Sequence, residues 1–505
     1  MVSLFNKGAS APCPAPFNLA AHVLAAGERT PDKQALVVVS KTDSEVWTYA
    51  ELIKAVRGTA TGLLASGLTP GDILVMRVGN TVDFPIIYLG AIAAGIIPVP
   101  TSSQLTKSEV NKIVDTLHPK AILRAPDVSC PETDVTLLST EQALEWRSLP
   151  PSDWDLGDPN RLAYIIYTSG TSGIPRAVGH AHRAIWARQM MMEGWYGLCP
   201  DDRLLHAGAF NWTFTLGTGL MDPWTKGATA LIPAADTDPS ELGKLLAQYD
   251  ASLFAAAPGV YRQMLKSDLP DLPALRHGLA AGEKLSQSIR NAWRASTKGE
   301  IYEAYGLSEC STFISSSPTH PHTPGTLGHP QSGRHIAIVG DTGRPVARGE
   351  EGTIAVHKSD PGLMIGYVGA PEATQAKFHG EWFLTGDRAS MSDCDAITYL
   401  GRNDDMMNAG GFRVSPLEIE ASLTGLAGIS ELAVTDIAIK EDVRIIACFY
   451  TSAAALDEER LKTAAQERLA RYKCPRTFIR VDKLPRNPNG KLLRSALKNQ
   501  FPSPK

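Results

Sequence analysis

Tyr167-Thr168-Ser169-Gly170-Thr171-Ser172-Gly173-Ile174-Pro175-Arg176-Ala177-Val178-Gly179-His180-Ala181-His182 follows directly on the apolar run Leu162-Ala163-Tyr164-Ile165-Ile166. An apolar run that breaks into small, hydroxylated, glycine-rich chain predicts a buried strand delivering a loop. Glycines let backbone N–H groups approach a ligand, and hydroxyls add donors suited to phosphate oxygens. The loop lacks the lysine of the GK-Ser/Thr phosphate pattern, and the dinucleotide pattern GxGxxG is absent. What remains is a phosphate loop of another kind or, on this stretch alone, a plain surface turn.

The composition, 43% hydrophobic and 20% charged, is that of an ordinary soluble protein. At 505 residues the chain exceeds one ordinary core and predicts two or more domains. A net charge of -4 gives no general affinity for nucleic acid or an anionic membrane, so an anionic substrate must find its positive charge locally. Cys13, Cys130, Cys199, Cys310, Cys394, Cys448 and Cys474 stand singly without a CxxC pair, which predicts reduced thiols, a cytoplasmic setting and no zinc site. The N-terminus lacks the apolar core of a signal peptide. The uncharged run Phe84 to Pro100 is broken by prolines and reads as a buried helix ending near Gly95 and turning into a strand. No membrane insertion is expected.

Asn18 is placed to cap a helix over Leu19 to Ala26 that stops at Gly27. Strand-like Ala35 to Val39 and Ile73 to Val78 alternate with helix-like Tyr49 to Ser66 and Val82 to Gly95, which predicts an α/β domain built on parallel sheets. Sheets of that kind place ligands at the carboxyl ends of strands, where the glycine-rich loop is expected. Leu204 to Phe214 is aromatic and apolar. Ala280-Ala281-Gly282-Glu283 offers small residues for close approach of a flat ring. Ala304-Tyr305-Gly306-Leu307-Ser308-Glu309 combines an aromatic face, clearance, a hydroxyl and a carboxylate that, taken alone, reads as a solvated surface acid. From about 320 to 400, short β-rich runs (His335 to Val339, Thr353 to Val356) between turn pairs predict a small β-barrel ending in Thr385-Gly386-Asp387. After Gly401, Ser415-Pro416-Leu417-Glu418 reads as the start of a helix with a capping box. Pro485 to Lys491 packs turn-formers around one lysine.

Taken in order, these segments resemble the motifs of the adenylate-forming (AMP-binding) superfamily of acyl-CoA synthetases, peptide-synthetase adenylation domains and luciferases, whose loop typically reads YTSGTTGxPKGVxxxH. Arg176 stands where lysine is usual, Ala177 where glycine is usual, and Asn408 where many members have lysine. The resemblance covers about Asn18 to Arg494. It implies a large N-terminal domain of parallel α/β sheets over 1–400, with the barrel at 320–400, then a small mobile α+β domain over 401–505. It also implies ATP, Mg2+ and coenzyme A as co-substrates or cofactors.

For the nucleotide it implies Thr168, Ser169, Gly170, Thr171, Ser172, Gly173, Arg176, Ala281, Gly282, Glu283, Ala304, Tyr305, Gly306, Ser308, Asp387 and Arg402, with Glu309 on the metal and Lys491, Glu309 and Arg402 catalytic. Asp404 is the implied hinge, Gly410 and Gly411 line the pantetheine path, and Arg413 reaches phosphate. Trp212, Phe214, Thr312 and Phe313 are the implied acid pocket.

Amino-acid-activating members usually carry an aspartate where Asn211 stands, and a neutral amide cannot balance a buried ammonium. The implied activity is therefore an AMP-forming acid:CoA ligase for a compact apolar acid: aromatic, alicyclic, or of short to medium chain. Glu309 to Ser315 and His379 to Trp382 look similar to benzoate-CoA ligases, although those have a histidine about where Thr312 stands. A carrier-protein-loading adenylation enzyme is the alternative. Partners are small molecules, with a monomer or homodimer expected.

Overall fold

The computed structural model describes the chain except residues 9–10, 169–175, 236, 283–284, 286, 403–406, 410–411, 415, 441–442, 486–493 and 501–505, and except the side chains at 401–402, 409, 412–413, 417, 495 and 499–500. The Asn18 side chain accepts hydrogen bonds from the Ala20 and Ala21 amides and starts the helix Leu19–Glu28. Gly27 does not end that helix. A Cβ there would sit 2.1 Å from the Tyr49 ring, so the glycine serves close packing against the next helix. That helix, Tyr49–Ala65, begins in a Thr48/Glu51 capping box, and Lys107–Leu117 begins in a Thr106/Glu109 one.

The helix Asp83–Ala93 is buried at every position from Phe84 onward, as its uncharged sequence predicts. Gly95, at φ 72°, then turns the chain into the strand Ile97–Pro100.

A nine-stranded sheet runs in the order His329–Pro330, Ser311–Ser315, Ile301–Leu307, His277–Ala281, Leu253–Ala256, Arg203–His206, Thr229–Pro233, Gln34–Val39, Glu45–Thr48. Its interior is parallel and its edges antiparallel. Alternate residues of one strand serve different cores, Leu36 one and Val37 the other, because successive side chains point to opposite faces. A second sheet, wholly parallel, orders Ile97–Pro100, Ile73–Arg77, Ala121–Arg124, Thr136–Ser139. Leu36 and Ala230 of the first sheet and Leu74 and Ala121 of the second share one core with the helices Tyr49–Ala65 and Asp83–Ala93.

The strand that carries the glycine-rich loop belongs to neither parallel sheet, contrary to expectation. Leu162–Thr168 pairs antiparallel with Arg176–Ala181, which pairs with Gly366–Tyr367. Only residues 169–175 separate the two strands, too few for the dozen or more that a parallel crossover needs, which accounts for the antiparallel pairing. The strand is also only half-buried, with Ala163 and Ile165 inside and their neighbours partly exposed.

The β-rich region forms an antiparallel six-stranded sheet: His335–Val339, Glu351–His357, Trp382–Met391 and Phe378–His379 in succession, Ile397–Arg402 on Trp382–Met391, and the N-terminal Leu4–Asn6 on His335–Val339. The small C-terminal domain has its own sheet, Glu431–Lys440, Val443–Thr451 and Thr477–Arg480. Its separate core includes Val434, Ile446, Cys448, Leu461 and Phe478. Among the described residues no helix is long and apolar enough to cross a membrane.

Candidate active site

The strand Ile301–Leu307 reverses at once into Ser311–Ser315. A Cβ on Gly306 would lie 2.0 Å from the Ser311 carbonyl oxygen, so only glycine permits the return. Ser311 itself sits at φ 58°, a left-handed conformation that costs a non-glycine residue about 1–2 kcal/mol. The reversal presents Ser308 to solvent and leaves Glu309 half-buried.

Glu309 Oε1 accepts a hydrogen bond from the Tyr367 hydroxyl at 2.8 Å, and its backbone carbonyl accepts one from the Met364 amide at 2.7 Å. Burial, then the Glu309 charge, push the Tyr367 phenol well above its ordinary range, so it remains a donor. Tyr367 lies on the strand paired with the hairpin, and the Arg176 guanidinium carbon is 5.9 Å from its ring centre. A planar guanidinium suits an aromatic face better than an ammonium, which accounts physically for arginine at this position. From the same hairpin, His180 Nε2 donates to the Ser308 carbonyl at 2.8 Å. Burial lowers the His180 pKa to about 4, so the ring is neutral near pH 7. These contacts tie the hairpin strands to the Tyr305–Glu309 segment.

Asp387 is buried, and both its oxygens accept from phenols: Oδ2 from Tyr305 at 2.6 Å and Oδ1 from Tyr399 at 3.1 Å. Burial and the Asp387 carboxylate hold the Tyr305 hydroxyl protonated. Ala281 ends the strand His277–Ala281, which neighbours the strand of Ala304 and Tyr305, and Gly282 follows it at φ 91°.

At the carboxyl end of Arg203–His206 the chain forms an aromatic wall. Trp212 meets Phe214 edge-on at 5.1 Å, Phe214 lies parallel to Trp195 at 6.2 Å, and His206 packs edge-on against Phe214 at 4.5 Å. Gly208 makes this possible, since a Cβ there would be 2.2 Å from Thr215 Oγ1 and 2.7 Å from the Trp212 ring. Burial drops the His206 pKa to about 3, so the wall carries no charge. Asn211 Nδ2 donates to Ser103 Oγ at 3.2 Å.

Thr312 reaches Met191 Sδ at 3.5 Å. Beside it Arg188, its side chain 11% exposed, donates to both oxygens of the buried Asp222 at 2.6 Å and to Ser311 Oγ at 2.7 Å. Burial opposes charge on Arg188, but the Asp222 carboxylate more than offsets it and raises the pKa. The pair places no net charge beside the aromatic wall.

Of the residues singled out from sequence, Tyr305, Gly306, Ser308, Glu309, Asp387, Ala281, Gly282 and Ala304 come together around the end of Ile301–Leu307. Trp212 and Phe214 form one wall, and Thr312 faces the same cluster through Met191. Phe313 turns the other way, fully buried edge-on against Tyr305 at 5.4 Å. Thr168 and Arg176 flank the hairpin tip. Ser169, Gly170, Thr171, Ser172, Gly173, Glu283, Asp404, Gly410, Gly411, Ser415 and Lys491 lie outside the described residues, as do the side chains of Arg402 and Arg413. Sequence reasoning missed His180, Arg188, Asp222, Tyr367 and Tyr399. Their partners lie from 12 residues away, for Tyr399 and Asp387, to 128, for His180 and Ser308, and no local pattern announces such pairs.

Comparison with known proteins adds context. A family model described as "AMP-binding enzyme" matches residues 23–368, and one described as "AMP-binding enzyme C-terminal domain" matches 418–491. The human mitochondrial acyl-coenzyme A synthetase ACSM2A is 29% identical over 529 aligned positions, covering 96% of this chain and 91% of that protein. The structure of o-succinylbenzoate CoA synthetase from Bacillus subtilis is similar at a TM-score of 0.84 with 22% identity, covering 95% of this chain and 98% of that one. A benzoate CoA ligase from Burkholderia xenovorans LB400 aligns at a TM-score of 0.68 with 26% identity, covering 95% of this chain and 100% of that one.

Proposed function

The chain belongs to the AMP-binding enzyme family and is an AMP-forming acid–CoA ligase using ATP and CoA, and from that premise we propose that its acid is compact and apolar and that Lys491, Glu309 and Arg402 carry the chemistry. The observation that supports this most is that the segment Tyr305–Glu309 ties to Asp387 at one end and to Tyr367 at the other, beside an uncharged aromatic wall. An apolar wall with no unpaired charge favours an aromatic, alicyclic or short to medium aliphatic acid over an amino acid.

In the first half-reaction an oxygen of the acid's carboxylate attacks the α-phosphorus of ATP. The bond to pyrophosphate breaks and an acyl-adenylate remains. In the second, the CoA sulfur attacks the acyl carbon, the thiol proton passes to water, and AMP departs with the former carboxylate oxygen.

Thr168 and the hairpin backbone would receive phosphate oxygens, and Arg176 adds positive charge there. Tyr305 and the small Ala281–Gly282 corner suit a flat adenine ring. Asp387 would accept from the two ribose hydroxyls by exchanging the phenol donors it now holds. Arg402, on the strand paired with Asp387, is assigned to the same ribose. Lys491 is assigned to the acid carboxylate and the α-phosphate, where one cation offsets the repulsion of two meeting anions.

Among the described residues no group of three metal-ligating side chains occurs. Glu309 offers one half-exposed carboxylate with one oxygen already fixed by Tyr367. That suits Mg2+, which takes one or two carboxylates and otherwise keeps water and phosphate oxygens. Held there, Mg2+ would supply charge neutralisation at the phosphates. Residues 401–505 are taken as the mobile unit, turning about Asp404 so that Lys491 serves the first half-reaction and Gly410–Gly411 the second. A reducing, cytoplasmic setting accords with seven unpaired thiols.

The test is pyrophosphate release across benzoate, cyclohexanecarboxylate, short and medium linear acids and amino acids with ATP and magnesium, followed by CoA. One apolar acid standing out, with AMP and acyl-CoA appearing, is the expected result. Pyrophosphate release without any response to CoA would move the reading to a carrier-protein acceptor.

A further inference from the structure

Three charged side chains meet in a buried cluster where the two domains touch. Lys473 Nζ donates to Glu418 Oε1 at 2.7 Å and to Glu109 Oε1 at 3.0 Å, and the three side chains are only 7%, 8% and 8% exposed. Glu418 and Lys473 belong to the small domain. Glu109 belongs to the large one, in the first turn of the helix Lys107–Leu117 that packs over the four-stranded parallel sheet. Its other oxygen, Oε2, accepts from the Thr106 amide and hydroxyl at 2.9 Å, so Glu109 is locked before Lys473 arrives.

The cluster stands at the foot of the phosphate hairpin. Tyr167, which opens the glycine-rich stretch, lies beside Thr116 of the same helix and within the field of Glu418 and Lys473. Burial pushes the Glu418 carboxyl up, and the neighbouring Lys473 works against that rise.

Removing a charge from water costs several kcal/mol per ion, which only a well-placed partner offsets. The Lys473–Glu418 pair lies within one domain and survives any movement between domains. The Lys473–Glu109 contact exists only while the domains sit as described. Without Lys473, Glu109 and Glu418 would be two buried carboxylates facing each other. The cluster therefore rewards one docked arrangement and penalises near misses, which is the best-attested use of buried ion pairs.

Resting on the reading above that the reaction needs two domain arrangements, we propose that Lys473 and Glu109 are positioning residues that hold the small domain in one of the two. Neither touches the substrate. Their loss slows the half-reaction run in this arrangement and leaves the other intact.

The test uses the full chain with Lys473→Met, Lys473→Arg and Glu109→Gln, the last keeping an oxygen for the Thr106 cap. Pyrophosphate release without CoA and thioester formation from preformed acyl-adenylate are measured separately. For Lys473→Met and Glu109→Gln one half-reaction is expected to fall tenfold or more with the other within twofold, and Lys473→Arg to recover most of the loss. Equal loss in both half-reactions, or change in neither, overturns the proposal.

Hydrogen exchange provides a readout independent of turnover. Amides of Lys107–Leu117 and Leu162–Thr168 are expected to exchange at least tenfold faster in Lys473→Met, while those of His277–Ala281 stay unchanged. Unchanged exchange overturns the latch even if the protein activates no acid; faster exchange in a protein that activates no acid leaves the latch standing and sinks the ligase reading instead.

Discussion

The Tyr367 hydroxyl lies 2.8 Å from Glu309 Oε1 and fixes one oxygen of the carboxylate proposed above to meet a phosphate-bound cation. Because Tyr367 comes from the strand paired with the hairpin, the hairpin and the orientation of the Glu309 carboxylate are joined.

Tyr367→Phe removes one donor and keeps the ring under Arg176. A hydrogen bond to a charged group contributes about 1.5–3 kcal/mol, so adenylate formation should fall about 10- to 100-fold. The expected signature is a higher magnesium requirement in pyrophosphate release with the melting temperature nearly unchanged. An unchanged magnesium dependence would separate Tyr367 from the metal.

Lys491→Ala should abolish pyrophosphate release and spare thioester formation from synthetic acyl-adenylate, because only the first half-reaction brings two anions together. Comparable loss in both assays would remove Lys491 from its assigned role.

Asp222→Ala leaves the Arg188 guanidinium buried without its bidentate partner. Breaking a buried pair by deleting one member costs about 3–5 kcal/mol. The urea midpoint should drop accordingly, and a shift corresponding to under about 1 kcal/mol would mean that water reaches Arg188.

Trp212→Ala opens the aromatic wall. Activity with the preferred acid should fall about 10-fold or more through lost packing, while bulkier acids gain relative to it. A selectivity profile that does not move would place the acid elsewhere.

Stability should depend on pH through the buried histidines. His180, His182 and His206 have pKa values lowered by burial to about 4, about 3 and about 3, and His182 Nδ1 accepts from the Leu19 amide, a bond that needs the neutral ring. In the unfolded chain each titrates near 6.5, so between the two values the unfolded state binds more protons. The stabilisation is complete above pH 6.5 and declines as pH falls toward 4, by about 1.4 kcal/mol per pH unit for each such histidine. Urea unfolding at pH 7, 6 and 5 measures the slope, and His206→Gln should flatten it. A flat wild-type profile over that range would contradict neutral burial.

By itself the sequence determined what depends on neighbours in the chain. The Asn18 cap, the buried helix Asp83–Ala93 and the strands at Gln34–Val39 and Ile73–Arg77 follow from capping chemistry and periodicity that a few residues carry. The motif order also gave the family, because glycines, hydroxyls and carboxylates at those spacings have few other uses. Tertiary structure decided what depends on residues far apart. Gly27 looked like a helix stop and proved to be a seat for the Tyr49 ring, and the strands on either side of the glycine-rich stretch proved to pair antiparallel. Arg188 found Asp222, His180 found Ser308, and Lys473 found Glu109 across 364 residues. Local pattern encodes which backbone a segment prefers, whereas a buried charge or an imidazole has its partner chosen only when packing removes water and leaves one group in reach.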